Sequence, residues 1–163
     1  MTEDTTLVER YFWSRHANPG SVWTLILTYP ALVAGVYRRD RRLLAGVVAF
    51  AAVNPLLFPP PEDDEAWATR VVLGERVWLD RGLRSSPTDA LFVALGAPLN
   101  LYTLRAASRR QFVRTALGTV ASLAFMLLFF QRMVRLYERS RAETVEAGQG
   151  GLDPTGRPDR DEH

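Results

Sequence analysis

Six polar side chains stand inside or beside strongly apolar sequence: Glu75, Arg132, Arg135, His16, Asn54 and Asn100. Glu75 lies in EAWATRVVLGERVWLDR, residues 65–81. Turned at about 100° per residue from Glu65, it falls at roughly 280°, in the middle of an arc formed by Trp67, Val71, Trp78, Ala68, Leu79 and Val72. A carboxylate there is costly to desolvate, so it must be paired, protonated or reached by water through a cleft. Arg132 and Arg135, at the mouth of the last apolar run, are its expected partners. Such a pair is part of a site or an ion pair that fixes the helix, and the second reading is preferred because structural ion pairs are common in such places. Asn54 and Asn100 each sit near a proline inside an apolar run. Amides there line a path or, more often, bond freed carbonyls and neighbouring helices. His16, beside Arg15, has the chemistry of a proton carrier or headgroup contact, although a lone interfacial histidine is usually neither.

Composition removes several other chemistries. The chain has no cysteine, which excludes disulfides, thiol catalysis and cysteine metal sites. His16 and His163 are the only histidines, too few for the convergent ligands of a metal centre. No Gly-rich phosphate loop and no nucleophile–base pair is visible, so an enzyme is not the preferred reading and no cofactor is expected. All 20 basic residues are arginine, but a net charge of +2 and the lack of a basic stripe with stacking aromatics argue against nucleic acid. The N-terminus, MTEDTTLVER, is acidic where a signal peptide is basic.

The elements that position these residues follow from where charge is missing. Mean hydropathy is −0.07, which suggests a soluble chain. The average misleads, because arginines crowd into the gaps between four apolar runs at about 21–37, 43–58, 88–104 and 115–131. Each run is slightly short of the roughly 20 residues of a spanning helix, but flanking arginines snorkel and Trp23, Tyr29 and Tyr37 suit interfaces. RRDRR (38–42) forces a tight hairpin between the first two runs, and RAASRRQFVR (105–114) joins the last two. The third run is the least regular, since Pro98 and Asn100 lie within it. A soluble bundle helix shows a polar face, and runs one, two and four show none.

NPLLFPPPEDDE (54–65) therefore reads as the place where the second span leaves the membrane: Asn54-Pro55 ends or kinks it, and Pro59–Pro61 stiffen the departure. Residues 65–81 form an interfacial amphipathic helix, with Leu73 and Val77 misplaced on its polar side. Residues 1–20 form an N-terminal amphipathic segment, 21–141 the membrane domain, and 142–163 a disordered polar tail. The expected fold is all-α: a polytopic membrane helical bundle with four spans in two helical hairpins, plus the interfacial helix.

Four stretches carry a resemblance: RHANPGSVW (15–23), NPLLFPPP (54–61), WATRVVLGERVWLDR (67–81) and RMVRLYE (132–138). In this order they resemble a domain-of-unknown-function family of small prokaryotic integral membrane proteins, over roughly residues 11–139. Members of that family often have Trp where this chain has Gly20. The resemblance implies a helical membrane protein of this size and supplies no activity, substrate or catalytic residue. Its motifs are polar junctions rather than apolar runs, which favours a site built from those junctions.

The expected location is the cell membrane, multi-pass, with the bilayer as partner, anionic lipid held by the arginine turns, a homo-oligomer as a further association, and no nucleic acid. Eight arginines lie in the two hairpin turns against ten on the other side, but density in short turns and the bias around the first span point to an N-terminus outside. A membrane scaffold or interaction protein is the favoured function. A small-solute carrier or channel, and a lipid-modifying membrane enzyme, are the alternatives.

Overall fold

The computed structural model describes residues 13–82 and 86–150, and among them it holds six helices and no strand. These are α1 (Ser14–His16), α2 (Pro19–Arg38), α3 (Arg41–Leu57), α4 (Trp67–Arg81), α5 (Pro87–Ser108) and α6 (Phe112–Gly150). Most of the expected N-terminal segment, residues 1–12, lies outside the described residues. Of the expected polar tail, 142–150 is not disordered but continues α6, while 151–163 lies outside the described residues.

Local chemistry sets the helix ends. The Asn18 side chain accepts from Gly20 N at 2.8 Å and Pro19 follows at the first helical position, a strong start for α2. The RRDRR turn then needs only two residues. Arg39 takes the left-handed conformation (φ 58°) and Asp40 N bonds back to Gly35 O at 2.9 Å, which closes α2 in a Schellman motif. Asp40 at once caps α3 by accepting from Arg42 N and Leu43 N. The second hairpin repeats the device: Arg110 has φ 54° and Gln111 N bonds back to Ala106 O. An edge contact between Tyr37 and Phe112, 6.5 Å apart, puts both turns at one end of the bundle.

Three helices, α2, α5 and the apolar part of α6, are long and apolar enough to cross a membrane. The third apolar run is a continuous helix through Pro98, and Asn100 Nδ2 donates to Gly96 O at 2.9 Å within it. α3 has 17 residues, or about 26 Å of rise, slightly less than a bilayer core. The surface carries a wide apolar belt, with Leu27, Val48, Leu101, Leu117, Val120 and Leu128 all exposed. Val33, Ala106 and Ala107 are buried near the turns themselves, while one cluster of buried residues lies at the opposite end. There Ala17, Val22, Ile26, Ala68 and Val72 pack with Trp67, Leu123, Met126 and Phe130.

Candidate functional site

The end of the bundle away from the hairpin turns gathers all four stretches that carry the resemblance. The first meets the second through side chains. Ser21 Oγ donates to Asn54 Oδ1 at 2.5 Å, and Asn54 Nδ2 donates to Thr24 Oγ1 at 2.7 Å. Asn18 Nδ2 donates to Pro59 O at 3.0 Å, and Arg15 reaches Leu56 O at 3.4 Å. Gly20 faces Phe58 so closely that a Cβ would come within 2.6 Å of the ring. A tryptophan at that position requires a different arrangement of Phe58.

The third stretch meets the fourth along α4 and α6. Gly74 abuts the Met133 carbonyl, and a Cβ there would lie 2.0 Å from the oxygen. Trp67 Nε1 donates to Gln131 Oε1 at 2.9 Å, and Trp78 packs edge-on to Phe129. Arg70 pairs with Glu138 at 3.2 Å and Arg81 with Glu143 at 3.0 Å. Trp23 stacks on Trp67 at 5.4 Å and joins the two halves. The loop before α4 is strapped to α6 by Asp64, whose carboxylate accepts from Tyr137 Oη at 2.7 Å and pairs with Arg141. Its carbonyl accepts from Arg70 Nε at 2.8 Å. The Tyr137 hydrogen bond, then the Arg141 charge, hold the Asp64 carboxyl below its ordinary pKa. Burial, then Asp64, push the Tyr137 phenol up.

These contacts divide α4 into faces. Trp67, Val71, Gly74 and Trp78 turn to α6, and Ala68 and Val72 turn to the core. Thr69, Val72, Leu73 and Arg76, spaced i, i+3, i+4 and i+7, line a cleft of about 760 Å³. Trp13, Ser14 and Ala17 close it on one side, and Pro60 to Asp64 on the other. Leu73, misplaced on a simple amphipathic wheel, therefore forms part of an apolar cleft floor. Thr69 is 1 % exposed, and its hydroxyl has no hydrogen-bond partner among the described residues. Thr24, Thr28, Thr103, Thr115 and Thr119 instead bond back to a carbonyl one turn earlier. A buried hydroxyl beside a cleft and left unbonded is one that a bound group can satisfy.

The six residues singled out in the sequence do not form one cluster. Asn54, at 0 % exposure, has its amide used on both sides in locking α3 to α2. Asn100 lies in α5, at mid-bundle. His16 sits against Trp13 with ring centroids 6.3 Å apart, and burial lowers its pKa. The expected Glu75–Arg132 pair is not formed. Arg132 turns instead to Asp89, which is 2 % exposed, and donates to Ser86 Oγ at 2.8 Å. Arg135 is exposed and meets no carboxylate among the described residues either. Glu75 has no ion pair or hydrogen bond among the described residues. Burial between the α6-facing and core-facing sectors raises its pKa to about 7.

Sequence reasoning passed over Asp64, Thr69, Asp89 and Tyr137 as members of a site. The signal for Asp89 was its lone carboxylate in the first turn of an apolar helix. Nothing local marks Asp64 among four consecutive acids. Among the described residues, no three His, Cys, Asp or Glu side chains group so as to hold a metal ion.

A family model, described as a family of unknown function (DUF6653), matches residues 4–152. No curated protein and no solved structure matches the chain.

Proposed function

We propose that this chain, which belongs to the DUF6653 family of unknown function, is a four-span protein of the cell membrane that works as a membrane-anchored interaction protein, and that it receives its partner in the cleft beside α4. α3 is the fourth span. Its 17 residues are extended by Asp40 at one end and Phe58 to Pro61 at the other, and Val48, Val53, Leu56 and Leu57 on it are all exposed. Lipid covers such a surface at no hydrophobic cost, whereas water does not.

One observation carries the interaction reading: a preformed cleft at the junction end whose buried Thr69 hydroxyl is unsatisfied. Ion pairs and the Gly74–Met133 contact hold α4 rigidly over α6, so the cleft needs no rearrangement to bind. Val72 and Leu73 offer apolar area, and Glu62 and Asp63 place two carboxylates at the cleft, which favours a partner with a cationic and an apolar part. A carrier is supported less, because the buried Asn54 amide is spent on holding helices together. The exposed arginines of the hairpin turns suit anionic lipid.

The absence of cysteine makes the test direct. Single cysteines replace Asp40, Asp63 and Leu73, and a membrane-impermeant maleimide is applied. Residues 40 and 63 label from opposite sides of the membrane, and residue 73 labels more slowly in native membranes than in purified protein. Labelling of 40 and 63 from one side ends the four-span reading. Equal rates at residue 73 show an empty cleft and end the interaction reading.

A further inference from the structure

A second cavity lies at mid-bundle between α2, α5 and α6, away from the junction cleft. We propose that it holds one lipid-soluble molecule ending in a hydroxyl group, with the hydroxyl placed between Tyr29 and Asn100. The cavity measures about 440 Å³, within the range of roughly 300–1,000 Å³ of small-molecule sites. Its walls are mainly apolar and aromatic, including Phe92, Leu99, Phe125 and Met126. Gly96 keeps it open, since a Cβ there would already stand 3.3 Å from the Phe125 ring.

The polar atoms in this apolar space are few and incompletely used. The Tyr29 hydroxyl is buried and has no hydrogen-bond partner among the described residues. Asn100 spends its Nδ2 on Gly96 O, and its Oδ1 accepts nothing among the described residues. Tyr29 thus offers a donor and Asn100 an open acceptor. A ligand hydroxyl satisfies both, because its oxygen accepts from Tyr29 while its hydrogen goes to Asn100. A bare acyl chain satisfies neither and leaves the Tyr29 hydroxyl uncompensated in an apolar setting.

The position selects a membrane-soluble ligand. All three helices contribute from the middle of their apolar stretches. Val93, which lines the cavity, is 52 % exposed and belongs to the apolar belt, so the cavity adjoins the lipid-compatible surface. Two helix-interior prolines, Pro30 and Pro98, adjoin the lining residues Tyr29 and Leu99, and each withdraws an N–H from its own helix there.

The test uses the full chain purified in detergent, with farnesol as probe and its saturated hydrocarbon farnesane as control. Farnesol raises Tm in a dose-dependent way and farnesane raises it much less. Tyr29→Phe leaves the ligand-free Tm unchanged or slightly higher, because it removes an unpaired hydroxyl, and it reduces the farnesol shift to the farnesane level. Gly96→Leu, which fills the cavity, abolishes both shifts. A diazirine-bearing farnesol labels residues around Tyr29, Leu99 and Phe125. Equal shifts from alcohol and hydrocarbon, or an undiminished farnesol shift in Tyr29→Phe, overturn the hydroxyl assignment. Labelling spread over the outer surface overturns the site itself.

Discussion

At the hairpin end, Arg38, Arg39, Arg41, Arg42, Arg105, Arg109 and Arg110 form no ion pair among the described residues, whereas at the junction end Arg70, Arg81, Arg132 and Arg141 each meet a carboxylate. The hairpin end is built by backbone: two Schellman turns and one aspartate cap. Its guanidinium groups are not spent on holding helices together. The junction end is built by side chains, with amides, aromatic stacking and charge pairs joining segments far apart in sequence. One residue type therefore serves two purposes. The difference shows that charge count alone says nothing about which end of such a bundle carries a site. Ion pairing distinguishes the ends, and the pairs gather at the junction end.

The strongest way to break this contrast is at glycine. Gly74→Ala drives a Cβ into the Met133 carbonyl, which is backbone and has no rotamer to escape into. Overpacking of this kind costs about 3 kcal/mol or more. A lower Tm by ten degrees or more and loss of the α4–α6 contact are expected in detergent. Gly46→Ala, on α3 with open space around its Cβ, is the matched control and is neutral or stabilising by up to about 1 kcal/mol. Similar melting curves for the two variants would refute tight packing at the junction.

The same contrast holds for aspartate. Asp89→Ala strands Arg132 against a site built for a charge pair. Loss of one partner of a buried pair costs about 3–5 kcal/mol, and the lower end applies because Arg132 is 35 % exposed. Asp40→Ala removes only a helix cap, at about 1 kcal/mol. Chemical denaturation in mild detergent ranks the two, and the reverse order would place the structural weight at the hairpin end. Asn54→Ala falls between or below them. It leaves the Ser21 and Thr24 hydroxyls short of a partner, at about 1–2 kcal/mol.

How much of this the sequence showed depends on range. The hairpin end was readable because its determinants are local: an aspartate between arginines, and helices that stop where charge returns. The helical span of residues 67–81 was readable from periodicity, and so was the awkward position of Glu75. The pairing at the junction end was not. Asp89 and Arg132 are 43 positions apart and Asp64 and Tyr137 are 73 apart, and no local pattern selects Asp64 over Asp63. The cleft was hidden for the same reason, since it exists only once Pro60, Thr69 and Trp13 meet. Leu73 looked like an error in an amphipathic pattern until that third surface appeared.

Glu75 sharpens the comparison, because at the end where buried Asp89 is paired with Arg132, Glu75 is also largely desolvated and has no ion pair or hydrogen bond among the described residues. Burial raises its pKa from the ordinary 4.5 to about 7. Between those values the folded chain holds a proton that the unfolded chain has lost, so stability falls as pH rises through that window and is lowest above it. Asp64 has the opposite sign. Its pKa is lowered from 3.8, so its contribution is present above that value and is lost only in stronger acid. The Asp64 window lies below this range, but His16, whose pKa burial lowers from 6.5, acts within it with the opposite sign to Glu75, so it is the difference between the unaltered chain and Glu75→Gln from pH 5 to 8 that isolates Glu75. Glu75→Gln flattens that slope and raises Tm at pH 8 by a few degrees, while leaving pH 5 nearly unchanged. A variant less stable at pH 8 would mean that the ionised carboxylate has a partner after all.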